Sequence, residues 1–420
     1  MRGITGVTAR VLFLVTAGLV AAAGSSSALS SFLTDSVTYI PPNLTTMAPP
    51  PVGGSYVDPV FGVMSTRLTD ATGSPALGIA PEYSQTSSFN LDDSYLVLVW
   101  LNGAYHLHDA VGNNIRTLPG VQEPRWSRTN PTHLYYRTGN KIMRVDAVTN
   151  QVVTINTFSQ YGSIHFGGGT GDLSDNDRIT VVGDNRYISI YDVVKKTQFG
   201  ELDTHQAPIN GSSFNFATIT KDGDLFVVGY TNGTNRGQGM ELYDLDGNFV
   251  VQSLNAVAHA AMGRDVDGTQ VLFAANSATL PLQPVGCNNG LVKISLDATA
   301  TRTCLHTMGW GIGWHFSAHG NDGWVYASTT RLQEDPWWVR MNEIFRVRAD
   351  GSAVERIIHH RSNYQAQAYW REPHANISIS GKMLVYGSDF HVQGQDWFYV
   401  DTYLINMASA FPPTALTAAR

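Results

Sequence analysis

Polar and apolar positions repeat in one order seven times along the chain. Each repeat has a half-polar stretch, then a tight turn rich in Asp, Asn or Gly, then a strongly apolar run. The seven turn positions recur every 38 to 58 residues and are Asp93, Pro131, Asp177, Gly223, Gly268, Gly323 and Gly381. A repeat of about this length is typical of the blades of a β-propeller.

Six of the repeats are followed by a second hairpin of alternating pattern, so that each repeat predicts four antiparallel strands. The seventh repeat stops after a third strand, and the strand predicted at Val60 to Asp70 has no partner before the first repeat. We therefore predict an all-β, seven-bladed β-propeller with four-stranded antiparallel blades, whose last blade is closed by the N-terminal strand. A β-sandwich also uses many short strands, but it gives no reason for seven copies of one hairpin pattern.

The chain before the repeats divides into two parts. Residues 1–30 carry Arg2 and Arg10 and an apolar run of thirteen residues from Val11 to Ala23, which is the pattern of a signal peptide and is too short to span a bilayer. Residues 31–54 are rich in Pro and Thr and predict a disordered linker, which leaves residues 55–410 for the propeller. We expect a secreted protein, extracellular or periplasmic, in which Cys287 and Cys304 form one disulfide.

Composition narrows the range of partners. The net charge is −7, only 15% of residues are charged, and Lys and Arg form no run, which argues against a nucleic-acid or anionic membrane surface. After the signal peptide no apolar stretch is long enough for membrane insertion. We expect a monomer without nucleic acid. Motifs of serine hydrolases, zincins, P-loops and dinucleotide-binding folds are absent from the sequence.

The connections predicted on the top face lengthen from blade four to blade seven and are rich in aromatic residues. Elongation on one side of successive blades favours a binding surface. Aromatic planes suit the apolar faces of sugar rings, and Trp314, Tyr369 and Trp370 are candidates for such contacts. Packing between neighbouring blades is the alternative, and we expect it to account for about half of these rings.

Counting back from each turn reaches the start of each inner strand, where side chains border the central channel. The residues predicted there include Gln85, Glu123, Asn215, His259, His315, Glu372 and His374. Histidines at matching positions of three consecutive blades, together with a glutamate, form a donor set for a divalent cation. Arg125, Arg371 and Tyr369 are candidates to contact an acidic substrate, although packing roles explain them equally well.

These features resemble those of oligogalacturonate lyases and related propeller polysaccharide lyases. The resemblance depends on His259, His315 and the stretch YWREPHANISISGKMLVYGSD. It implies a histidine base at His259 and a divalent ion, manganese or similar, held by His315, Glu372 and His374. The family has a His-Pro-His element and a glutamine, whereas this chain has Glu372-Pro373-His374 and, where the glutamine is expected, Tyr369.

The resemblance implies a metal-assisted polysaccharide lyase that cleaves a uronic-acid glycoside by β-elimination in the top-face funnel. Its partner would be an acidic oligo- or polysaccharide. Two alternatives stay open: a glycoside hydrolase that uses a carboxylate pair such as Glu123 and Glu372 in the same funnel, and a propeller that binds a glycan or a protein without catalysis.

Overall fold

The residues that the structure describes form seven separate antiparallel sheets. The computed structural model describes residues 31–72, 78–255, 259–276, 287, 289–308, 314–331, 335–364, 369–392, 394–395 and 398–410. The predicted signal peptide, residues 1–30, lies outside the described residues.

The strands are numbered in chain order, and each blade is given by its own sheet. Two strands precede the repeats: β1 (Ser55–Val57) and β2 (Met64–Arg67). Blade one contains β3 (Ile79–Ala80), β4 (Tyr95–Trp100), β5 (Ala104–Asp109) and β6 (Asn114–Leu118). Blade two contains β7 (Gln122–Trp126), β8 (His133–Thr138), β9 (Lys141–Asp146) and β10 (Val152–Thr157). Blade three contains β11 (Ile164–Phe166), β12 (Arg178–Gly183), β13 (Tyr187–Asp192) and β14 (Thr197–Asp203).

The second half continues in the same order. Blade four contains β15 (Phe214–Ile219), β16 (Leu225–Tyr230), β17 (Met240–Asp244) and β18 (Phe249–Leu254). Blade five contains β19 (Ala260–Arg264), β20 (Gln270–Asn276), β21 (Gly290–Ser295) and β22 (Arg302–Thr307). Blade six contains β23 (Trp314–Ser317), β24 (Trp324–Thr329), β25 (Glu343–Arg348) and β26 (Val354–His359). Blade seven contains β27 (Asn376–Ile377), β28 (Met383–Ser388) and β29 (Asp401–Asn406). Within the ranges given above, short 3-10 helices occur at Gly167–Gly169, Tyr369–Arg371 and Met407–Ser409.

The apolar run of each repeat becomes the second strand of its blade. In β12 and β16 five consecutive residues are buried, because the neighbouring blades cover both faces of the sheet. The turn before β16 places Gly223 at φ 73°, a left-handed conformation that glycine adopts without steric cost. The hydrophobic core therefore consists of layers between blades.

The N-terminal strand closes the ring, as the sequence predicts. Strand β2 pairs with β29, with Thr66 opposite Leu404 and Arg67 opposite Tyr403. The blade is larger than predicted, because β1 adds a fifth strand outside β2 in the order β1-β2-β29-β28-β27. The Tyr56 hydroxyl of β1 lies 3.0 Å from the Tyr386 hydroxyl of β28, which ties the added strand to the core.

Residues 31–54 differ from the predicted disordered linker. Leu33 forms a β-bridge with Arg356, and the Asp35 carboxylate accepts a hydrogen bond of 2.7 Å from the same arginine. Arg356 is fully buried and also pairs with Glu343, so its charge needs partners inside the fold. Phe32, Leu33, Tyr39 and Met47 pack against a core cluster that includes residues of blades six and seven. The Pro/Thr-rich composition indicates disorder because it reflects the average polarity of the segment and not the few side chains that anchor it.

Cys287 and Cys304 form the predicted disulfide. It joins the top connection of blade five to the blade's outer strand β22. Among the described residues there is no helix with the length and apolar character needed to cross a bilayer.

Ring closure suggests a stability test at a buried ion pair. Arg67 of β2 is buried, and its Nη2 atom lies 2.7 Å from Asp401 of β29 and 3.0 Å from Asp70. Asp401 is buried and also accepts bonds from Thr69, Ala71 and Tyr399. We expect Asp401→Asn to lower the free energy of unfolding by about 3 kcal/mol, because it leaves a buried guanidinium without its main counter-charge. Urea denaturation followed by tryptophan fluorescence measures this change.

The matched control is Asp70→Asn, which removes the other partner of the same arginine. The side chain of Asp70 is 49% exposed, so we expect a change of about 1 kcal/mol or less. Equal losses in the two variants would contradict the role assigned to the buried pair.

Candidate functional site

Four predicted residues meet at the starts of inner strands of blades five, six and seven. His315 is the second residue of β23, and His259 comes directly before β19. Glu372 follows the short helix Tyr369–Arg371, and His374 comes two residues before β27. The inner strands of a propeller surround one axis, so these positions converge from separate blades.

His315, Glu372 and His374 form a compact group. Each offers one ligand atom, and the three atoms lie within 4.8 Å of one another. Nε2 of His315 contacts a carboxylate oxygen of Glu372, and Nε2 of His374 lies 3.6 Å from the same oxygen. The two imidazole rings are nearly perpendicular, with centroids 4.4 Å apart.

His259 lies beside this group. Its ring stacks on that of His315 with a centroid distance of 4.5 Å and an angle of 24° between the planes. His259 is half-buried, whereas His315 is buried. The structure thus brings together the predicted base and the three predicted metal ligands.

Burial decides the charge state of the group. It lowers the pKa of His315 to about 4, and the neighbouring His374 acts in the same direction. Burial also lowers the pKa of His374. For Glu372 burial acts to raise the pKa, but the hydrogen bond with His315 and the nearby His374 outweigh it, and the pKa lies well below the usual range. Near neutral pH the group therefore contains two neutral imidazoles and one carboxylate.

This donor set fits a divalent cation. Neutral imidazole nitrogens and a carboxylate oxygen are ligands of Zn²⁺, Mn²⁺ and related ions. Among the described residues, neither ring nitrogen of the buried His374 has a hydrogen-bond partner, and Nδ1 of His315 has none either. Buried polar atoms normally have partners, so unpaired nitrogens beside a carboxylate indicate an additional ligand.

Aromatic rings surround the group. Tyr369 lies 4.6 Å from the ring of His374, and Trp370 stands perpendicular to it at 6.4 Å. Tyr369 is 44% exposed and is therefore accessible to a ligand. Of Trp314 the structure describes the backbone, which begins β23 and pairs with Thr329.

Tyr83 is part of the site, although the sequence analysis missed it. Its ring lies 5.4 Å from His315 and 5.3 Å from His374. It belongs to the chain between β3 and β4 of blade one, two residues before the predicted Gln85. Burial, with a further contribution from Glu372, raises the pKa of its phenol. The signal in the sequence was a tyrosine next to Glu82, two residues before the predicted inner position Gln85.

Arg125 lies in the channel and forms an ion pair. Its side chain is fully buried, and Nη1 lies 2.6 Å from the Glu82 carboxylate. Tyr105 donates a hydrogen bond of 2.6 Å to the other oxygen of Glu82. Glu82 is a second residue that the sequence analysis missed.

Arg371 and Glu123 also have protein partners. Arg371 of blade seven is mostly buried, and its Nη1 lies 3.3 Å from Asp389. Glu123 accepts hydrogen bonds of 2.9 Å from His165 and 2.6 Å from the backbone of Phe166, both in β11. Glu123 thus links blade two to blade three, apart from the histidine group.

Gln85 and Asn215 have different surroundings. Gln85 donates a hydrogen bond to the carbonyl of Ala260 and lines an interior cavity together with Arg128, Lys221 and His319. Asn215 is exposed on β15, at an irregularity in the pairing of that strand. Gln85 thus contacts the residue that follows His259, whereas Asn215 belongs to blade four.

Comparison with known proteins supports the fold. No protein-family model matches the chain, and no curated protein matches it. Among solved structures, an oligogalacturonate lyase from Vibrio parahaemolyticus has a TM-score of 0.59 and 12% identity, with 86% of this chain and 97% of that one covered. An oligogalacturonate lyase in complex with manganese has a TM-score of 0.58 and 14% identity, covering 84% of this chain and 95% of that one. The chain is therefore similar in its propeller fold to oligogalacturonate lyases over nearly the whole length of those proteins.

Proposed function

We propose that this protein is an exported, metal-dependent lyase that cleaves acidic oligosaccharides by β-elimination. The observation that carries the proposal is the convergence of His315, Glu372 and His374, with His259 stacked beside them. The similar structures support it, because both are named oligogalacturonate lyases and one is a manganese complex. The signal-peptide pattern of residues 1–30 supports export.

His315, Glu372 and His374 would hold the cation. When bound, it would supply positive charge that binds the carboxylate of a uronic-acid residue and stabilises the negative charge developing there during elimination. Two neutral histidines and one carboxylate leave the site with one negative charge before loading, so a divalent ion would give it a net positive charge.

His259 would remove the proton. Abstraction of the proton next to the substrate carboxylate needs a base that is neutral near the working pH, and imidazole is suited to that task. Its ring lies against His315, so a carboxylate bound at the metal group would place the adjacent carbon near His259. Tyr369 and Trp370 offer exposed and half-buried aromatic surface on which sugar rings can stack.

The arrangement gives less support to a glycosidase built on Glu123 and Glu372. Glu123 is engaged by His165, Arg137 and the backbone of blade three, and Glu372 contacts two histidines. Neither carboxylate is placed as a free acid facing the other across a substrate. Release of a reducing sugar without a double bond would nevertheless identify a hydrolase, and binding without turnover would identify a non-catalytic propeller.

The assigned ligands should hold a metal ion. Purified protein loaded with Mn²⁺ and desalted should retain about one ion per chain, and His374→Ala should reduce the bound metal at least tenfold, since it removes one of three protein ligands. Mass spectrometry of the metal content measures both. The control is His133→Ala on β8, outside the site, which should retain wild-type metal content. Equal metal retention in the two variants would refute the assigned ligands.

Catalysis should depend on His259. Wild-type protein with Mn²⁺ should convert trigalacturonate to a product with the ultraviolet absorbance of an unsaturated uronide. His259→Ala should lower kcat by roughly 10²- to 10⁴-fold, the usual contribution of a general base, while the metal content stays unchanged. Full activity in His259→Ala would reject its role as the base. If neither trigalacturonate nor a panel of other uronic-acid polymers yields an unsaturated product, the lyase proposal fails.

A further inference from the structure

Tyr83 lies beside the metal group on the side away from His259, and the inference drawn from this position rests on the proposed lyase function. Tyr83 belongs to blade one, whereas the metal group belongs to blades six and seven and His259 to blade five. Around the ring, blades five and one flank blades six and seven. The imidazole of His259 and the phenol of Tyr83 therefore approach the metal group from opposite sides.

Tyr83 touches both imidazoles of the group but supplies no ligand to it. Its ring is perpendicular to that of His315 and tilted by 54° to that of His374. Among the described residues, no hydrogen bond involves its hydroxyl, in contrast to Tyr105, whose hydroxyl is bound to Glu82. The ring is half-buried against the two imidazoles. Its hydroxyl is therefore available to donate a hydrogen bond or a proton to a ligand.

A side-chain clamp holds the backbone of Tyr83 in place. Asn376, fully buried at the start of β27, donates from Nδ2 to the carbonyl oxygen of Tyr83 at 3.1 Å and also contacts those of Ser84 and Thr86. Its Oδ1 atom accepts a hydrogen bond of 3.0 Å from Ser88. Because Asn376 is two residues from His374, it fixes the blade-one segment relative to a metal ligand.

Elimination needs two proton transfers at different atoms. The base takes a proton from the carbon next to the carboxylate, and the oxygen of the departing sugar must gain one, because an alkoxide is a poor leaving group. His259 is placed for the first step. A donor for the second step must lie beside the bound carboxylate but away from the base.

We propose that Tyr83 is the catalytic acid that protonates the leaving oxygen. As His259 removes the proton, the electron pair of the C–H bond forms the new carbon–carbon double bond, and the bond from carbon to the leaving oxygen breaks. The hydroxyl proton of Tyr83 passes to that oxygen. The phenolate then regains a proton through solvent, and His259 releases the one it took, so both residues return to their starting states.

The test uses Tyr83→Phe, which keeps the ring and removes only the hydroxyl. We expect kcat on trigalacturonate to fall by about 10²-fold or more, the usual contribution of a general acid. On a galacturonide carrying 4-nitrophenoxide as the leaving group at the cleaved position, kcat should stay within about threefold of wild type, because this group departs without a proton. Ultraviolet absorbance of the unsaturated product measures both reactions.

A binding measurement distinguishes the loss of a proton-transfer step from damage to the binding site. Calorimetry measures trigalacturonate binding to two Mn²⁺-loaded variants, His259→Ala and His259→Ala/Tyr83→Phe. Both lack the proposed base, so neither should convert the substrate during the measurement. The two dissociation constants should agree within about threefold, and the metal content should be equal. A substantial loss of binding or of metal in the double variant would assign Tyr83 a structural role and overturn the proposal.

Two further tyrosine variants act as controls. Tyr136→Phe removes a phenol hydroxyl from the core of blade two and should behave as wild type on both substrates. Tyr369→Phe tests another phenol, whose ring lies 4.6 Å from that of His374. If the dependence on the leaving group appears in Tyr369→Phe and not in Tyr83→Phe, or if Tyr83→Phe loses activity equally on both substrates, Tyr83 is not the acid. If wild type forms no unsaturated product at all, the lyase function itself fails, an outcome separate from these.

Discussion

Pairing of β2 with β29 closes the ring, and the site depends on this closure. The pairing joins residues 64–67 to residues 401–406 and places blade one beside blade seven. Only then can Asn376 of blade seven bind the carbonyl groups of the blade-one segment that carries Tyr83. Residues nearly 300 positions apart in the chain are thereby joined, and Tyr83 lies against His315 and His374. Closure also removes two exposed sheet edges, which is a general advantage of the propeller.

The metal group illustrates how burial and pairing act against each other. Burying a carboxylate is costly unless it is hydrogen-bonded, and Glu372 has two histidine neighbours that stabilise its charged form. Burying imidazoles favours their neutral form, which exposes the lone pairs needed for coordination. The two effects together leave a site with donor atoms in the right protonation state and with unpaired nitrogens. Such a site is suited to a cation.

The sequence predicted the blades and the central donor set because both follow from periodicity. The turn spacing located the inner strands, and His259, His315, Glu372 and His374 occur at their starts. Glu123 occupies a matching position, but its side chain pairs with Arg137 of β8 and His165 of β11. The repeat pattern alone does not identify these partners. Tyr83 was missed because the first strand of blade one, Ile79–Ala80, has only two residues and the chain after it leaves the repeat pattern. Residues 31–54 were assigned to a linker because composition records average polarity and not the few side chains that anchor a segment.

The paired arginines bear on how an acidic substrate would be recognised. Arg125 and Arg371 were the two cations expected to meet a substrate carboxylate, yet Arg125 lies against Glu82 and Arg371 against Asp389. An arginine neutralised by a buried carboxylate contributes little net charge to its surroundings, although its remaining N–H groups can still donate hydrogen bonds. The attraction for an acidic sugar would then come mainly from a cation held by His315, Glu372 and His374. On this reasoning metal loading and affinity for the uronic-acid carboxylate are coupled, whereas stacking on Tyr369 and Trp370 contributes binding that does not depend on charge.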